Sequence, residues 1–427
     1  MSNRVKLIKH EKYKPADLQW LNSIPSHWEI KRIKDLAEYQ SGDYINAMEF
    51  DESNIYPVYG GNSFRGFANQ YNTDGSYVLI GRQGALCGNV NYGSGKFWAT
   101  EHCVVVYHKK KINIKWLGEL LKVMNLNQYA TSTAQPGLSV EKIKRLELPF
   151  VPFAEQVIIS KYLDTKSQAI DKKVNLLTKK VNYFQELRKS IINDAVCKGL
   201  DKKVNLQVSE FAFSVNAKWK RFRLKDLGFL YSGLSGKVGD DFNQDDNPNN
   251  KGFIPFTNIA NNTYLKANHL GTVVVNENEK QNRVRKGDLF FLMSSEGYDD
   301  IGKTAVLAED IKDTYLNSFC KGYRISSKHC FPYFLNYLLL SDNYRKLLMT
   351  EGKGFTRINL KMEKVSDFII YLPKSKEEQI EIASYLDEKT QKIDYILTNI
   401  KKQIDTLKEL RKTLINEVVT GKIKVID

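Results

Sequence analysis

Glu155-Gln156, Tyr162-Leu163-Asp164, Ile170-Asp171 and Glu186-Leu187-Arg188-Lys189 lie along one stretch of this chain. The same groups return as Glu378-Gln379, Tyr385-Leu386-Asp387, Ile393-Asp394 and Glu409-Leu410-Arg411-Lys412. Ile192-Asn193 and Val196 likewise return as Ile415-Asn416 and Val419. Roughly eighteen identities in about forty-two ungapped positions, about 223 residues apart, mark an internal duplication. Such a chain holds two copies of one structural unit and suits a partner that is itself roughly two-fold. Duplex DNA is the commonest such partner.

The repeated stretch reads as a long helix. Ile170, Val174, Leu177, Val181, Phe184, Leu187 and Ile191 step by three and four residues, and Ile393, Leu397, Ile400, Ile404, Leu407, Leu410 and Leu414 keep the same register. Lys172, Lys173, Lys179, Lys180 and Glu186, with Lys401, Lys402 and Glu409 in the second copy, flank this narrow apolar seam. That is the coiled-coil pattern. From Ala154 to Cys197 the helix would run ~65 Å. Neither seam can be buried alone, so the two helices are expected to pack against each other, antiparallel.

Each helix follows a globular stretch whose ends also repeat. His27-Trp28-Glu29-Ile30-Lys31-Arg32-Ile33-Lys34-Asp35-Leu36 matches Lys218-Trp219-Lys220-Arg221-Phe222-Arg223-Leu224-Lys225-Asp226-Leu227, and Ser41-Gly42 matches Ser232-Gly233. Gly137-Leu138-Ser139 through Leu148-Pro149 parallels Asn359-Leu360-Lys361 through Leu372-Pro373. The interiors share almost nothing. They carry short strand-like runs, Tyr77–Ile80, Val104–Tyr107, Gly271–Val275 and Asp288–Leu292. The expected fold is α+β: globular units over 1–152 and 204–373 alternate with long helices over 153–203 and 374–427, in a pseudo-two-fold internal repeat. Constant frames around divergent interiors suggest two readers of the same build and different taste.

Composition bounds the partner. The 64 Lys and Arg outnumber 49 Asp and Glu, giving +15 and a pI near 9.2, which favours a polyanion whose counterions are released on binding. Five cysteines at wide, irregular spacing form no C-x-x-C pair, so no disulfide frame or zinc knuckle is expected. His102-Cys103 and His329-Cys330 read as ordinary strand neighbours, which point to opposite faces. Apolar runs are strand-sized, and the start, with Arg4, Lys6 and Lys9, has no apolar core after it. A cytoplasmic protein with no membrane partner and no bound metal is expected.

In this order the residues resemble the specificity subunits of type I restriction–modification enzymes. The carriers are Pro25-Ser26-His27-Trp28, the Leu-Pro and then Glu-Gln that open each helix, and the ending Glu417-Val418-Val419-Thr420-Gly421-Lys422-Ile423. The resemblance covers the whole chain. It implies two target recognition domains, each reading half of a split, asymmetric site in double-stranded DNA. The paired helices would set the gap between half-sites and dock two methyltransferase subunits, with motor–nuclease subunits completing the phage-defence complex. The chain itself would be non-catalytic, with S-adenosylmethionine, ATP and magnesium held by partner subunits.

One motif points to chemistry in the chain. Gly297-Tyr298-Asp299-Asp300-Ile301-Gly302-Lys303-Thr304 satisfies the phosphate-loop pattern and follows a strand-like run. Asp299 and Asp300 would repel a triphosphate, and Ala305–Asp310 is too short for the helix that should hold it. A turn between strands is the expectation, with a nucleotide hydrolase as the enzyme alternative. Asn247-Pro248-Asn249 lacks the second proline and the ring of an adenine methyltransferase motif, Glu351-Gly352-Lys353 is a weak nuclease match, and Gly81, Gly84 and Gly88 do not give a G-x-G turn.

Base reading calls for Arg toward guanine and Asn or Gln toward adenine. In the first unit Tyr59, Asn62, Arg65, Arg82 and Gln83 lie on glycine-rich loops that would let the backbone approach DNA. In the second, Asn258, Asn261, Asn262, Ser294, Ser295, Lys303 and Arg357 have suitable chemistry, and Arg82 and Arg357 lead the set. A coiled-coil nucleic-acid scaffold without a methylation partner is the remaining alternative.

Overall fold

The computed structural model describes residues 8–46, 48, 50–84, 86–130, 137–244 and 246–425, so the basic start around Arg4 and Lys6 lies outside the described residues. The chain divides into two compact units, 1–178 with 401–427 and 179–400. The long helices span Phe153–Lys198 and Lys376–Val419, and each contributes one half to either unit.

In the first unit an antiparallel sheet runs in the order Ala37–Ser41, Cys103–His108, Tyr77–Gly81, Val90–Gly93. Its two central strands are buried on both faces, which is why they read as unbroken apolar runs. Strand alternation divides the load. Val78, Ile80, Val104 and Val106 face a core with helix Ile114–Val123, while Leu79, Cys103 and Val105 face Phe97 and Ala99 of a second sheet. That sheet runs Phe64–Ala68, Tyr56–Tyr59, Lys96–Ala99, Thr73–Asp74, with its middle pair parallel.

The second unit repeats the plan with other residues. Gly228–Ser232, Cys320–Ile325, Leu289–Leu292 and Thr304–Leu307 stand in the same order, with Tyr264–Leu265 added at the edge. Leu289, Phe291 and Val306 face a core with helix Pro332–Leu340, whereas Phe290, Leu292, Ala305 and Leu307 face the opposite cluster. The second sheet, Gly271–Val274, Asn250–Ile254, Thr314–Leu316, again has one parallel pair. The Ser-Gly repeat has a steric cause. A Cβ on Gly42 would lie 2.0 Å from the Ala99 carbonyl oxygen, and one on Gly233 would lie 2.2 Å from that of Asn317.

The repeated ends of each globular stretch pair with each other. Glu29–Arg32 is antiparallel to Glu147–Phe150, and Lys220–Arg223 to Ile369–Leu372, closing each unit into a frame. Glu155 and Gln156 lock that frame. The Trp28 indole N–H donates to the Glu155 carboxylate at 3.2 Å. Buried Gln156 accepts from the Asn113 N–H at 2.9 Å and donates to the Val151 carbonyl at 2.7 Å. In the second unit Trp219 donates to Glu378 at 3.0 Å, and Gln379 accepts from the Phe331 N–H at 2.8 Å and donates to the His329 carbonyl at 2.8 Å. The helix ends return to the same tryptophans. Gly421 (φ +73°) leaves no room for a Cβ beside Pro25 and Trp28, and Gly199 (φ +87°) sits against Trp219.

The helices pair antiparallel within each unit. Asp171 of the first helix receives Arg411 of the second at 2.8 Å, and Arg188 reaches Asp394 at 3.1 Å, so rising numbers on one face falling numbers on the other. Ile170, Val174, Leu177, Val181, Phe184, Leu187 and Ile191 are half-buried. Ile393 and Ile400 are buried, and Leu397, Ile404, Leu407 and Leu414 are half-buried. Leu410 is the correction. It is 53% exposed, because strict alternation of four and three from Ile393 passes through Arg411. Arg188 occupies the same step in the first helix, so each seam carries one arginine paired across to an aspartate.

The described cysteines are free and buried, and burial pushes the Cys103, Cys320 and Cys330 thiols up to about 12. Cys103 begins a strand, but His102 lies in the turn before it, and His329-Cys330 lies in the turn before helix Pro332–Leu340, so neither pair is a pair of strand neighbours. Among the described residues no helix is long and apolar enough to cross a membrane.

Candidate nucleic-acid interface

In the first unit the fold gathers the two glycine-rich loops into one place. A Cβ on Gly81 would lie 1.6 Å from the Gly61 carbonyl oxygen, so these glycines serve the close approach of the loops to each other. Tyr59 ends a strand, half-buried, with its ring edge-on to Phe97 at 5.5 Å. Asn62 is exposed, its side-chain oxygen accepting from Asn89 at 2.8 Å and its carbonyl from Asn91 at 2.9 Å. Arg65 is exposed and lays its stem over Gly60, where a Cβ would sit 3.1 Å from its Cδ. Gln83 is exposed and bridged through its backbone to Gly137. Arg82 is half-buried: its Nη1 donates to Ser41 Oγ at 2.7 Å, and its buried Nε has no partner among the described residues. That tether turns Arg82 partly inward and leaves Gln83, Asn62 and Arg65 as the outward set.

In the second unit the pairing of Ser294–Ser295 with Ile358–Asn359 occupies the corresponding place. Leu138 N–H donates to the Arg82 carbonyl at 2.9 Å, and Leu360 N–H donates to that of Met293 at 2.9 Å, so the loops are anchored alike. Ser294 is half-buried. Ser295 is only 6% exposed, its hydroxyl accepting from the Gly297 N–H at 3.3 Å, which removes it from any outward surface. Arg357 is exposed, its guanidinium 5.1 Å over the Phe319 ring. Asn258 donates to the His269 carbonyl and Asn262 donates to the Asn258 carbonyl, so both serve the short helix Phe256–Asn261, whereas Asn261 is exposed.

Lys303 is half-buried and pinned. Its ammonium is 2.6 Å from Asp300 and 3.5 Å from the Ala260 carbonyl, which brings the asparagine helix beside the loop. Gly297–Thr304 joins antiparallel strands Leu289–Leu292 and Thr304–Leu307, with no helix after it. Buried Arg345 donates to the Ile301 carbonyl at 2.5 Å and to that of Asp299 at 3.1 Å. Burial lowers its pKa to about 10. A phosphate loop needs its lysine free and a helix N-terminus beneath it. Here the lysine neutralises the loop's own aspartate, and a strand follows.

Sequence reasoning missed two groups. Phe355 is fully exposed on the loop before Ile358, and Phe319 is 51% exposed beneath Arg357. Their signal is an aromatic between glycine and arginine in Gly354-Phe355-Thr356-Arg357, which offers a ring face where hydrogen-bond chemistry offers nothing. His10, His27 and Glu155 also cluster within ligand distance of one another. Their carboxylate already accepts from Trp28 and lies 3.0 Å from His27, and Glu11, Lys12 and Lys424 line the same cavity.

The family model described as the type I restriction modification DNA specificity domain matches residues 25–179 and 216–406, once in each half, and the chain belongs to that family. The EcoprrI specificity subunit of Escherichia coli is 48% identical over 139 residues, 31% of this chain and 34% of that one. The chain thus spans about a third of that relative. The MjaVIII specificity subunit of Methanocaldococcus jannaschii is 20% identical over 416 residues, 94% of each chain. Among solved structures, a chain from a type I restriction–modification system shares the fold with TM-score 0.68 at 14% identity, covering 93% of this chain and 99% of that one.

Proposed function

We propose that this chain is the DNA-recognition subunit of a type I restriction–modification complex, in which each unit reads one half of a split, asymmetric site. The observation that supports it most is the build of the two units. Identical locks of Trp, Glu and Gln hold sheets of the same strand order, while the outward loops differ, Asn62, Arg65 and Gln83 on one unit and Asn261 and Arg357 on the other. Matching frames with different readers fit a site whose halves differ. The +15 charge supplies sequence-independent attraction to phosphates. In this reading the paired helices set the gap, about one helical turn of DNA between half-site centres. They also dock two methyltransferase subunits, which motor–nuclease subunits join. The chain acts without chemistry of its own in the cytoplasm, and S-adenosylmethionine, ATP and magnesium are handled by the partners.

The test is a methylation map. The chain is expressed with a methyltransferase subunit of the type I class, and genomic DNA is sequenced for modified adenine. One split motif is expected. A soluble, co-purifying complex that modifies no DNA would contradict the reading and leave a nucleic-acid scaffold.

A further inference from the structure

Residues 352–358 form a short, closed loop with an apolar tip. Its base is fixed by two backbone bonds, Lys353 N–H to the Asn359 carbonyl at 3.0 Å and Asn359 N–H to the Lys353 carbonyl at 2.8 Å. The Asn359 side chain also donates to the Arg357 carbonyl at 3.2 Å. Gly354 (φ +145°) is obligatory, since a Cβ there would lie 1.9 Å from that same carbonyl oxygen. Ile358 is buried at the root, 4% exposed. The loop is therefore closed at its base, yet it presents Phe355 at 106% exposure, more than any other large apolar side chain among the described residues. Neither Lys353 nor Arg357, on either side, forms an ion pair among the described residues, whereas Lys303 and Lys364 nearby are neutralised by Asp300 and Glu351. Arg357 lies instead over the half-exposed Phe319 ring, a contact that leaves its charge uncancelled.

A rigid aromatic between two unneutralised cations matches a stacked base between phosphates. Every base offers a π-face, a fixed loop loses little freedom on insertion, and the cations meet the backbone on both sides. We propose that Phe355 is a base-stacking side chain of the second recognition unit, inserted at a base step of its half-site, with Lys353 and Arg357 on the adjoining phosphates. This rests on the DNA-recognition reading above.

The experiment uses the full chain with its methyltransferase partner, on duplexes bearing the mapped site and 2-aminopurine moved stepwise through the second half-site. The wild-type complex should raise fluorescence at one step. Phe355→Ala should abolish that rise and weaken binding about 5- to 150-fold, with the slope of log K against log salt unchanged because no charge is lost. Phe355→Trp should restore the affinity. Arg357→Ala should instead reduce the salt slope by about one phosphate contact. Phe355→Ala with wild-type affinity and fluorescence would overturn the inference and leave DNA recognition standing. Loss of co-purification with the methyltransferase would overturn it in favour of a protein-docking loop. A wild-type complex without site-specific DNA binding would defeat the recognition reading itself.

Discussion

Trp28 with Glu155 and Gln156, and Trp219 with Glu378 and Gln379, do the same work in the two units, whereas the sheets inside those frames share strand order and almost no residues. The frame is chemistry with one solution. An indole N–H, a carboxylate and a buried amide must meet, and a substitution strands a buried donor or acceptor. The interior is geometry with many solutions. Any apolar residue of suitable shape fills a strand position, so the plan persists while its residues drift. Outward loops on that interior are then free to differ without loss of the scaffold.

The largest effects are expected at the two locks, which should be equivalent. Trp28→Ala and Trp219→Ala remove side chains that are 0% and 5% exposed, and each should cost about 3–5 kcal/mol, read as a lowered unfolding transition of its own unit. A harmless outcome in one unit alone would end the equivalence. Next comes a group without a frame counterpart. Asp288, 3% exposed at its side chain, accepts from Arg324 at 2.6 Å and from the Tyr231 hydroxyl at 2.6 Å. Asp288→Asn should cost about 2–3 kcal/mol in the second unit's urea transition and leave the first unit's unchanged, less than a fully buried pair because Arg324 is partly solvated.

Smaller effects sharpen the pairing of the helices. Arg188→Ala and Arg411→Ala cut exposed ion pairs and should each cost no more than about 1 kcal/mol in thermal unfolding at low salt, less at high salt. Equal losses would support the repeat; a large loss from one alone would mark an asymmetric seam. Lys303→Ala should have the smallest effect. It frees a half-exposed ion pair, and isothermal titration with ATP should give the same absence of heat before and after the change. Measurable ATP binding lost in the variant would revive the phosphate-loop reading.

Much of this was legible in the sequence. The helices, their antiparallel pairing and the frame could be read because they are carried by repeated identities and by a four-three periodicity. The seam differs at one step: the apolar label of Leu410 points to it, but the spacing points to Arg411, and an arginine can lay its stem in a seam and pair its head across it. The common plan of the interiors was hidden, since strand order is set by long-range pairing that leaves no shared residues behind. On the candidate surface, residue type could not separate Gln83, which faces out, from Ser295, which is buried, or Arg357 from the tethered Arg82. Side-chain direction on irregular loops depends on tertiary contacts. The glycines of the first unit, read as letting the backbone approach DNA, include Gly61 and Gly81, whose close approach is to each other.

The central claim is that the frame holds and the interior reads. Its most direct measurement is a methylation map of a hybrid in which residues 228–359 are replaced by the matching interior of a family member with a known site. A soluble, co-purifying hybrid that modifies a split motif, with one half unchanged and the other converted to the donor's, is expected. A motif altered in both halves, or in neither, would contradict the claim.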